Sequence, residues 1–224
     1  MSMRTLFLQA PSFDGFDGGA GSRYQAKREI KSFWYPTWLA QPAALVENSK
    51  LIDAPPHNTQ LSEVVAQAGD FDLVVAHTSV PSFASDVRVI EALKAANPNL
   101  KAGLIGAKVA VDAEGSMLKA PAVDFVARNE FDFTIKDVAD DQNWADIKGI
   151  TWRNKQGVIV TNPDRPIIEN MDTLPWVTPV YKRDLEMEKY FIGYLKHPYI
   201  SIYTGRGCKS RCTFCLWPQT VGGH

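Results

Sequence analysis

Phe71-Asp-Leu-Val-Val-Ala-His-Thr-Ser-Val-Pro-Ser-Phe-Ala-Ser-Asp-Val-Arg-Val-Ile-Glu-Ala-Leu-Lys-Ala-Ala96, stopped by Asn97-Pro98 and followed by Ala102-Gly-Leu-Ile105, decides the fold. Phe71–Ala76 is a short apolar run without strict alternation, the pattern of a strand buried on both faces. From Ser82 to Ala96 the period changes. Phe83, Val87, Ile90 and Leu93 recur at three- and four-residue steps, which puts them on one face of a helix, and Asn97-Pro98 disfavours its continuation. A second buried strand, Ala102–Ile105, follows. Two apolar strands joined through a helix imply a right-handed crossover and a parallel pair.

The same order repeats on either side. Thr5–Leu8, Lys50–Asp53 and Val123–Ala127 read as further buried strands, and Thr59–Ala68 and Phe131–Ala139 as weaker helices. Residues 1–145 are therefore expected to form an α/β domain, an open, doubly wound parallel sheet of Rossmann-like type. Ligands of such sheets bind outside the carboxyl ends of the strands. The loops there are Pro11–Ser22 with its glycines, Ala54-Pro-Pro-His57, His77-Thr-Ser-Val-Pro-Ser82 and Gly106-Ala-Lys108, then Arg128-Asn-Glu130. Small and hydroxyl side chains at Thr78, Ser79, Gly106 and Ala107 permit a large flat ligand to approach the backbone. His57 and His77 sit at strand ends, where a lone histidine is more often a hydrogen-bonded loop residue than a ligand.

Beyond this domain, Gly149–Arg153 and Val158–Thr161 flank Asn154-Lys-Gln-Gly157 as a hairpin. Pro163, Pro166, Pro175 and Pro179 then mark a linker lying against a surface, within a segment 146–196. Lys182–Leu195 is expected to return to helix, and Tyr199–Tyr203 to form an apolar strand that opens the last segment, 197–224. The aromatic group Phe33, Trp34, Tyr35 and Trp38 reads as core packing first, with an apolar substrate or membrane surface as the alternative.

All three cysteines, Cys208, Cys212 and Cys215, lie in that last segment in a C-x3-C-x2-C spacing. Four thiolates would close every iron of a cubane iron–sulfur cluster, whereas three leave one iron open to bind a substrate. Two other readings stand beside this one: a Cys3His zinc site completed by His224, and three unrelated thiols. The run Arg206-Gly-Cys-Lys-Ser-Arg-Cys-Thr-Phe-Cys215 resembles the signature of the radical S-adenosylmethionine (SAM) superfamily, with Phe214 at the aromatic position before the third cysteine. That resemblance implies a 4Fe-4S cluster on the three cysteines, SAM as cofactor with Phe214 beside its adenine, an external reductant such as flavodoxin or ferredoxin, and a (β/α) barrel whose first strand is Tyr199–Tyr203. A barrel needs more strand–helix units than follow Cys215, so the sequence reads as the front portion of a longer enzyme. No catalytic residue beyond the cysteines is assigned.

The order strand, Thr-Ser-x-Pro-Ser, helix, strand, Gly-Ala, then Asp-Phe-Val-Ala-Arg-Asn-Glu130 resembles the cobalamin-binding domain that precedes the barrel in one radical SAM subgroup. The resemblance implies cobalamin contacts at Thr78, Ser79, Gly106, Ala107 and Glu130. Gly106-Ala107 and Arg128-Asn129-Glu130 depart from that family's Gly-Gly and Arg-Gly-Glu. The D-x-H-x-x-G motif is also absent, because Asp53-Ala-Pro-Pro-His57 has another spacing, so no histidine is expected to ligate cobalt through it. Four blocks, 11–24, 32–42, 124–132 and 215–224, resemble the hopanoid-biosynthesis-associated radical SAM protein. They imply hydrogen abstraction from the polar side chain of a hopanoid lipid in cyclitol ether formation, with peripheral membrane contact. A cobalamin-dependent radical SAM methyltransferase shares the cysteine and cobalamin-domain motifs, and a non-catalytic doubly wound module with a zinc-capped tail is the reading of another class.

Composition narrows the field. With 224 residues, 45% hydrophobic, 22% charged and a formal net charge of -1, the chain can bury a full core and carries no global pull toward nucleic acid. The opening residues lack the basic start of a secretory signal and no run reaches the ~20 apolar residues of a membrane span, so a cytoplasmic setting is expected.

Overall fold

The computed structural model describes residues 2–11, 33–208, 210 and 212–215. Its elements are β1 (Thr5–Gln9), α1 (Thr37–Leu45), β2 (Ser49–Asp53), α2 (Ala54–His57), α3 (Leu61–Ala66), β3 (Leu73–His77), α4 (Phe83–Ala96) and β4 (Lys101–Ile105). There follow α5 (Ala107–Val111), α6 (Ala113–Lys119), β5 (Phe125–Ala127), α7 (Asp132–Ala139), β6 (Ile150–Arg153), β7 (Ile159–Thr161) and α8 (Thr178–Asp184).

One seven-stranded sheet has the order β2-β1-β3-β4-β5-β6-β7. Its first five strands are parallel, as the apolar runs of β3, β4 and β5 lead one to expect, and the expected hairpin adds β6 and β7 antiparallel at one edge. The sheet thus continues past residue 145. The 2-1-3-4-5 order reverses between β1 and β3. In doubly wound sheets that reversal opens a crevice at the carboxyl ends of those two strands.

Two apolar clusters line the two faces. Phe7, Leu51, Leu73, Val75 and Phe125 pack under α1, α7 and α8 on one side. On the other, Leu6, Leu8, Val74, Ala76 and Leu104 meet Val87, Ile90 and Leu93 of α4, the residues whose spacing marks that helix in the sequence. Burying side chains of this size contributes about 1.5–3 kcal/mol each before conformational entropy is counted. α4 ends at Ala96, as Asn97-Pro98 requires, and the Asn97 amide donates to Ala68 O and Phe71 O, tying the end of the helix to the turn that precedes β3.

Three expectations change. The helix expected over Lys182–Leu195 is instead α8, with Pro179 in its first turn, and it stops at Asp184. Tertiary contacts end it: Glu186 N–H donates to His57 Nε2 at 3.1 Å, and the Tyr190 hydroxyl donates to Asp53 Oδ2 at 2.8 Å. These pull the chain onto the end of β2 and leave only a short 3-10 turn, Met187–Lys189. Tyr199–Tyr203 forms no strand, because among the described residues none lies beside it to share its hydrogen bonds. The expected helix Thr59–Ala68 is shorter, with a capping box between Gln60 and Glu63 setting its start.

The aromatic group is core. Tyr35 is 1% exposed, stacks on Tyr190 at 4.2 Å and packs on Tyr181 at 4.6 Å and Tyr199 at 5.4 Å. Four tyrosines therefore join the segment before α1 to the segments around α8 and residue 199. Their hydroxyls are engaged in part: Tyr181 donates to Thr37 Oγ1 at 2.9 Å and Tyr199 to Phe33 O at 2.8 Å. Desolvation raises the pKa of each of these tyrosines, Tyr199 to about 12. The glycine loop after Pro11, His224 and the block 216–224 lie outside the described residues.

Candidate functional site

The carboxyl ends of β1, β3 and β4 meet at the reversal of strand order. Gln9, the last residue of β1, faces His77, the last residue of β3, with Gln9 Oε1 3.1 Å from His77 Nδ1. Trp38 of α1 covers the imidazole, ring centroids 5.0 Å apart, and its buried Nε1–H has no partner. Desolvation holds His77 down at a pKa of about 4, so the ring is neutral near pH 7 and Nδ1–H donates to Gln9. His77 is thus a packed loop residue.

Gly106, at the end of β4, has φ +118° and ψ 171°, a region open essentially to glycine alone. A β-carbon there would lie 2.1 Å from Thr78 O and 3.1 Å from the His77 ring. Thr78 N–H in turn donates to Ile105 O at 2.8 Å, so the β3 and β4 loops are joined directly above the sheet. Here the sequence-derived residues Thr78, Ser79, Gly106 and Ala107 come together. Ala107 is the first residue of α5, and Ser79 bonds Ser82 twice, by N–H to Oγ at 3.0 Å and hydroxyl to hydroxyl at 2.7 Å.

Beneath these hydroxyls lies Asp86, a residue the sequence reading passed over. It is 4% exposed, its carboxylate is bonded by Thr78 and Ser82, and its Oδ2 has no partner. Burial outweighs those bonds and raises its pKa to about 7. A signal existed: Asp86 falls one turn after Phe83 and before Ile90, on the buried face of α4.

Glu130 is placed differently. It is 4% exposed, and its carboxylate accepts the backbone N–H of Ile168, so it ties the linker to the end of β5. Arg128 is buried and donates to Thr151 Oγ1 at 2.6 Å, Asn162 O at 2.7 Å and Asp164 at 2.7 Å, clamping the hairpin and the chain after it. Asn129 between them has φ +55°, which asparagine tolerates better than most residues and which explains its standing where the cobalamin-domain family carries glycine. His57 is engaged on both nitrogens: Nδ1–H donates to Asp53 O at 2.8 Å and Nε2 accepts from Glu186 N–H.

The cysteines follow in one loop. Cys208 and Cys212 are exposed, Cys215 is partly buried, none is in a disulfide, and Cys215 N–H donates to Cys212 O at 3.1 Å in a turn. Phe214, beside them, is 92% exposed. Among the described residues no three His, Cys, Asp or Glu side chains are gathered closely enough to hold a metal ion. The donor set nevertheless fits a soft metal cluster, being three free thiols on one short exposed loop. Arg206, two residues ahead of Cys208, forms a buried bidentate ion pair with Asp132 at the start of α7, with side-chain exposures of 8% and 1%. Its guanidinium also lies over Tyr203, 5.2 Å from the ring centre. A cavity of about 450 Å³ opens nearby, lined by Gln41, Leu174, Trp176, Ile202, Tyr203 and Thr204 among others.

For cobalamin the fit is one of place and small side chains: Gly106 closes the β4 loop onto Thr78 O, and Ser79 and Ala107 stand beside it at the crevice where such sheets take their ligands. His77 and His57 already have their partners inside the protein.

No protein-family model matches the chain. It is 29% identical over 197 residues to an uncharacterized methyltransferase of Pyrococcus horikoshii, covering 84% of this chain and 42% of that protein. Over 112 residues it is 30% identical to the cytidylyl-2-hydroxyethylphosphonate methyltransferase of Streptomyces wedmorensis, covering 38% and 20%. Its fold is similar to that of the radical SAM methyltransferase TsrM from Kitasatospora setae, solved with cobalamin and a 4Fe-4S cluster bound. That likeness has a TM-score of 0.57 and 11% identity over 99% of this chain and 42% of that one. The cobalamin-dependent SAM radical enzyme OxsB, solved with aqua-cobalamin and SAM bound, gives 0.55 and 9% over 73% and 22%. The chain spans less than half the length of each of these proteins. What is shared with the two solved structures is the fold, which in this chain is an α/β architecture with a seven-stranded, mostly parallel sheet. No described helix is long and apolar enough to cross a membrane.

Proposed function

We propose that this chain supplies the cobalamin-binding and cluster-binding parts of a cobalamin-dependent radical SAM methyltransferase. The carrying observation is the juxtaposition of two devices: a 2-1-3-4-5 sheet whose ligand end carries the small residues Ser79, Gly106 and Ala107, and a C-x3-C-x2-C loop joined to that same end through Arg206 and Asp132. The methyltransferase relatives and the two cobalamin-bound structures support the reading.

When bound, the cluster would supply the electron for reductive cleavage of SAM, and cobalamin the methyl-transfer chemistry. The residues of this chain hold and orient. Cys208, Cys212 and Cys215 would hold the cluster, and Phe214 would offer an aromatic face to the adenine. Thr78, Ser79, Gly106 and Ala107 form the floor on which the corrin would rest, while Glu130 acts from behind by fixing the linker. His57 and His77 are engaged inside the protein, so neither is assigned as a ligand of cobalt. A reducing setting, with a donor such as flavodoxin or ferredoxin, would suit free thiols and a cluster.

Radical methyl transfer takes precedence here over hopanoid chemistry. The hopanoid reading rests on four sequence blocks, most of the first and last of which lie outside the described residues, and no relative named above acts on a hopanoid by its name. Anaerobic titration with hydroxocobalamin, followed by absorbance, tests the proposal. Saturable one-to-one binding that Ala107→Trp abolishes while circular dichroism is unchanged is expected. A wild-type chain that binds no cobalamin overturns it.

A further inference from the structure

We infer that Arg206-Gly207-Cys208 is a positioning device: Arg206 latches the cysteine loop to Asp132, Gly207 turns the chain, and Cys208 is thereby presented at a fixed place over the carboxyl end of the sheet. The inference deepens the radical SAM reading and rests on it for the identity of the cluster.

Asp132 opens α7, directly after the loop that leaves the end of β5, so it belongs to the ligand end of the sheet. Arg206 reaches it from 74 residues further along the chain and donates from both terminal nitrogens. Both side chains are more than nine-tenths buried, and the Tyr203 ring covers the guanidinium. A fork of this kind fixes orientation as well as distance, which a lysine could not do. Gly207 has φ +82°, a conformation that other residues adopt only with strain. Cys208 follows, and two residues of chain reach at most about 7 Å. The loop carrying the other two cysteines turns on itself, Cys215 N–H donating to Cys212 O, whereas the latch two residues before Cys208 ties the first thiolate to the domain.

The test compares wild type, Arg206→Gln, Asp132→Asn and the charge-reversed pair Asp132→Arg/Arg206→Asp. Amide hydrogen exchange of residues 203–208 and of β3 and β4 is measured in the chain without iron. After anaerobic reconstitution with iron and sulfide, cluster content and the electron paramagnetic resonance of the reduced cluster are recorded. Each single variant is expected to speed exchange of 203–208 by about 100-fold, the consequence of leaving one buried charge unpaired, with β3 and β4 unaffected. The cluster signal should broaden or shift in the single variants, and the reversed pair should restore both readouts at least tenfold toward wild type.

Unchanged exchange in Arg206→Gln overturns the latch. Faster exchange with a cluster signal identical to wild type reduces the pair to a structural contact and overturns the positioning role. If wild type assembles no cluster, the radical SAM reading fails by itself, and the exchange comparison still decides whether the latch holds the loop.

Discussion

Replacing Gly106 by alanine probes the close contact between the β3 and β4 loops at the ligand end of the sheet, with a magnitude that the geometry supplies. At φ +118° and ψ 171° an L-residue is strained by about 1–3 kcal/mol. The new β-carbon would stand 2.1 Å from Thr78 O, a backbone atom held by the Thr78 N–H to Ile105 O bond, and 3.1 Å from the packed ring of His77. Neither neighbour is the free end of a flexible chain, so overpacking adds about 1–3 kcal/mol. The sum is about 2–6 kcal/mol, a large part of the total stability of a typical domain. Gly157→Ala is the control: φ is +80°, but nothing lies within 4 Å, so only backbone strain of about 1 kcal/mol is expected. Urea unfolding followed by far-ultraviolet circular dichroism, with both variants and wild type at one temperature, gives the two differences. Equal losses in the two variants would refute the claim that contact with Thr78 makes this position glycine-only.

Other predictions concern charge, backbone and surface. Asp86 has its folded pKa raised from 3.8 to about 7, so its contribution to stability is full below pH 4 and is lost as pH rises toward 7. His77 has its folded pKa lowered from 6.5 to about 4, so its contribution is full above pH 6.5 and is lost as pH falls toward 4. The two slopes oppose each other between pH 4 and 6.5. Asp86→Asn should therefore expose a stability that rises with pH, and His77→Gln one that falls, by about 1 kcal/mol per pH unit in each case, as read by urea midpoints across that range. Asn129→Gly should change stability by less than about 1 kcal/mol, whereas Asn129→Val should cost more than Asn129→Gly in the same assay, since a β-branched residue resists φ +55°. The exposed apolar side chains Trp176, Tyr194, Ile200, Ile202 and Phe214 should make the chain bind anilinonaphthalene sulfonate in its native state. Trp176→Ser with Ile202→Ser should lower that fluorescence, and an unchanged signal would place the dye elsewhere.

The parallel strands were legible because full burial leaves uninterrupted Val, Leu, Ile and Ala runs, and α4 because its apolar positions keep a helical step. α1 was not, for a physical reason. Thr37–Leu45 is buried nearly all round and carries Pro42 inside it, so neither periodicity nor composition marks it as helix. The short α5 and α6 escaped in the same way, since five to seven residues give too few turns to show a period. Lys182–Leu195 failed in the opposite sense, where local helical character lost to bonds from His57 and Asp53 more than 120 residues away. At the site, the spacing of the cysteines and the small residues at Thr78, Ser79, Gly106 and Ala107 could be read directly. What those residues meet could not. Glu130 turned inward to Ile168, Asp132 found Arg206, and Gln9 found His77, all long-range pairs that no local pattern encodes.

The central claim is that the cysteine loop holds a cluster able to bind SAM. Anaerobic reconstitution with iron and sulfide, then iron and sulfide analysis and electron paramagnetic resonance of the reduced protein with and without SAM, tests it most directly. The account predicts about four irons per chain, a signal perturbed by SAM, and loss of both in the triple variant Cys208→Ala, Cys212→Ala, Cys215→Ala. Stoichiometric zinc with no cluster, or a cluster indifferent to that triple variant, would contradict it.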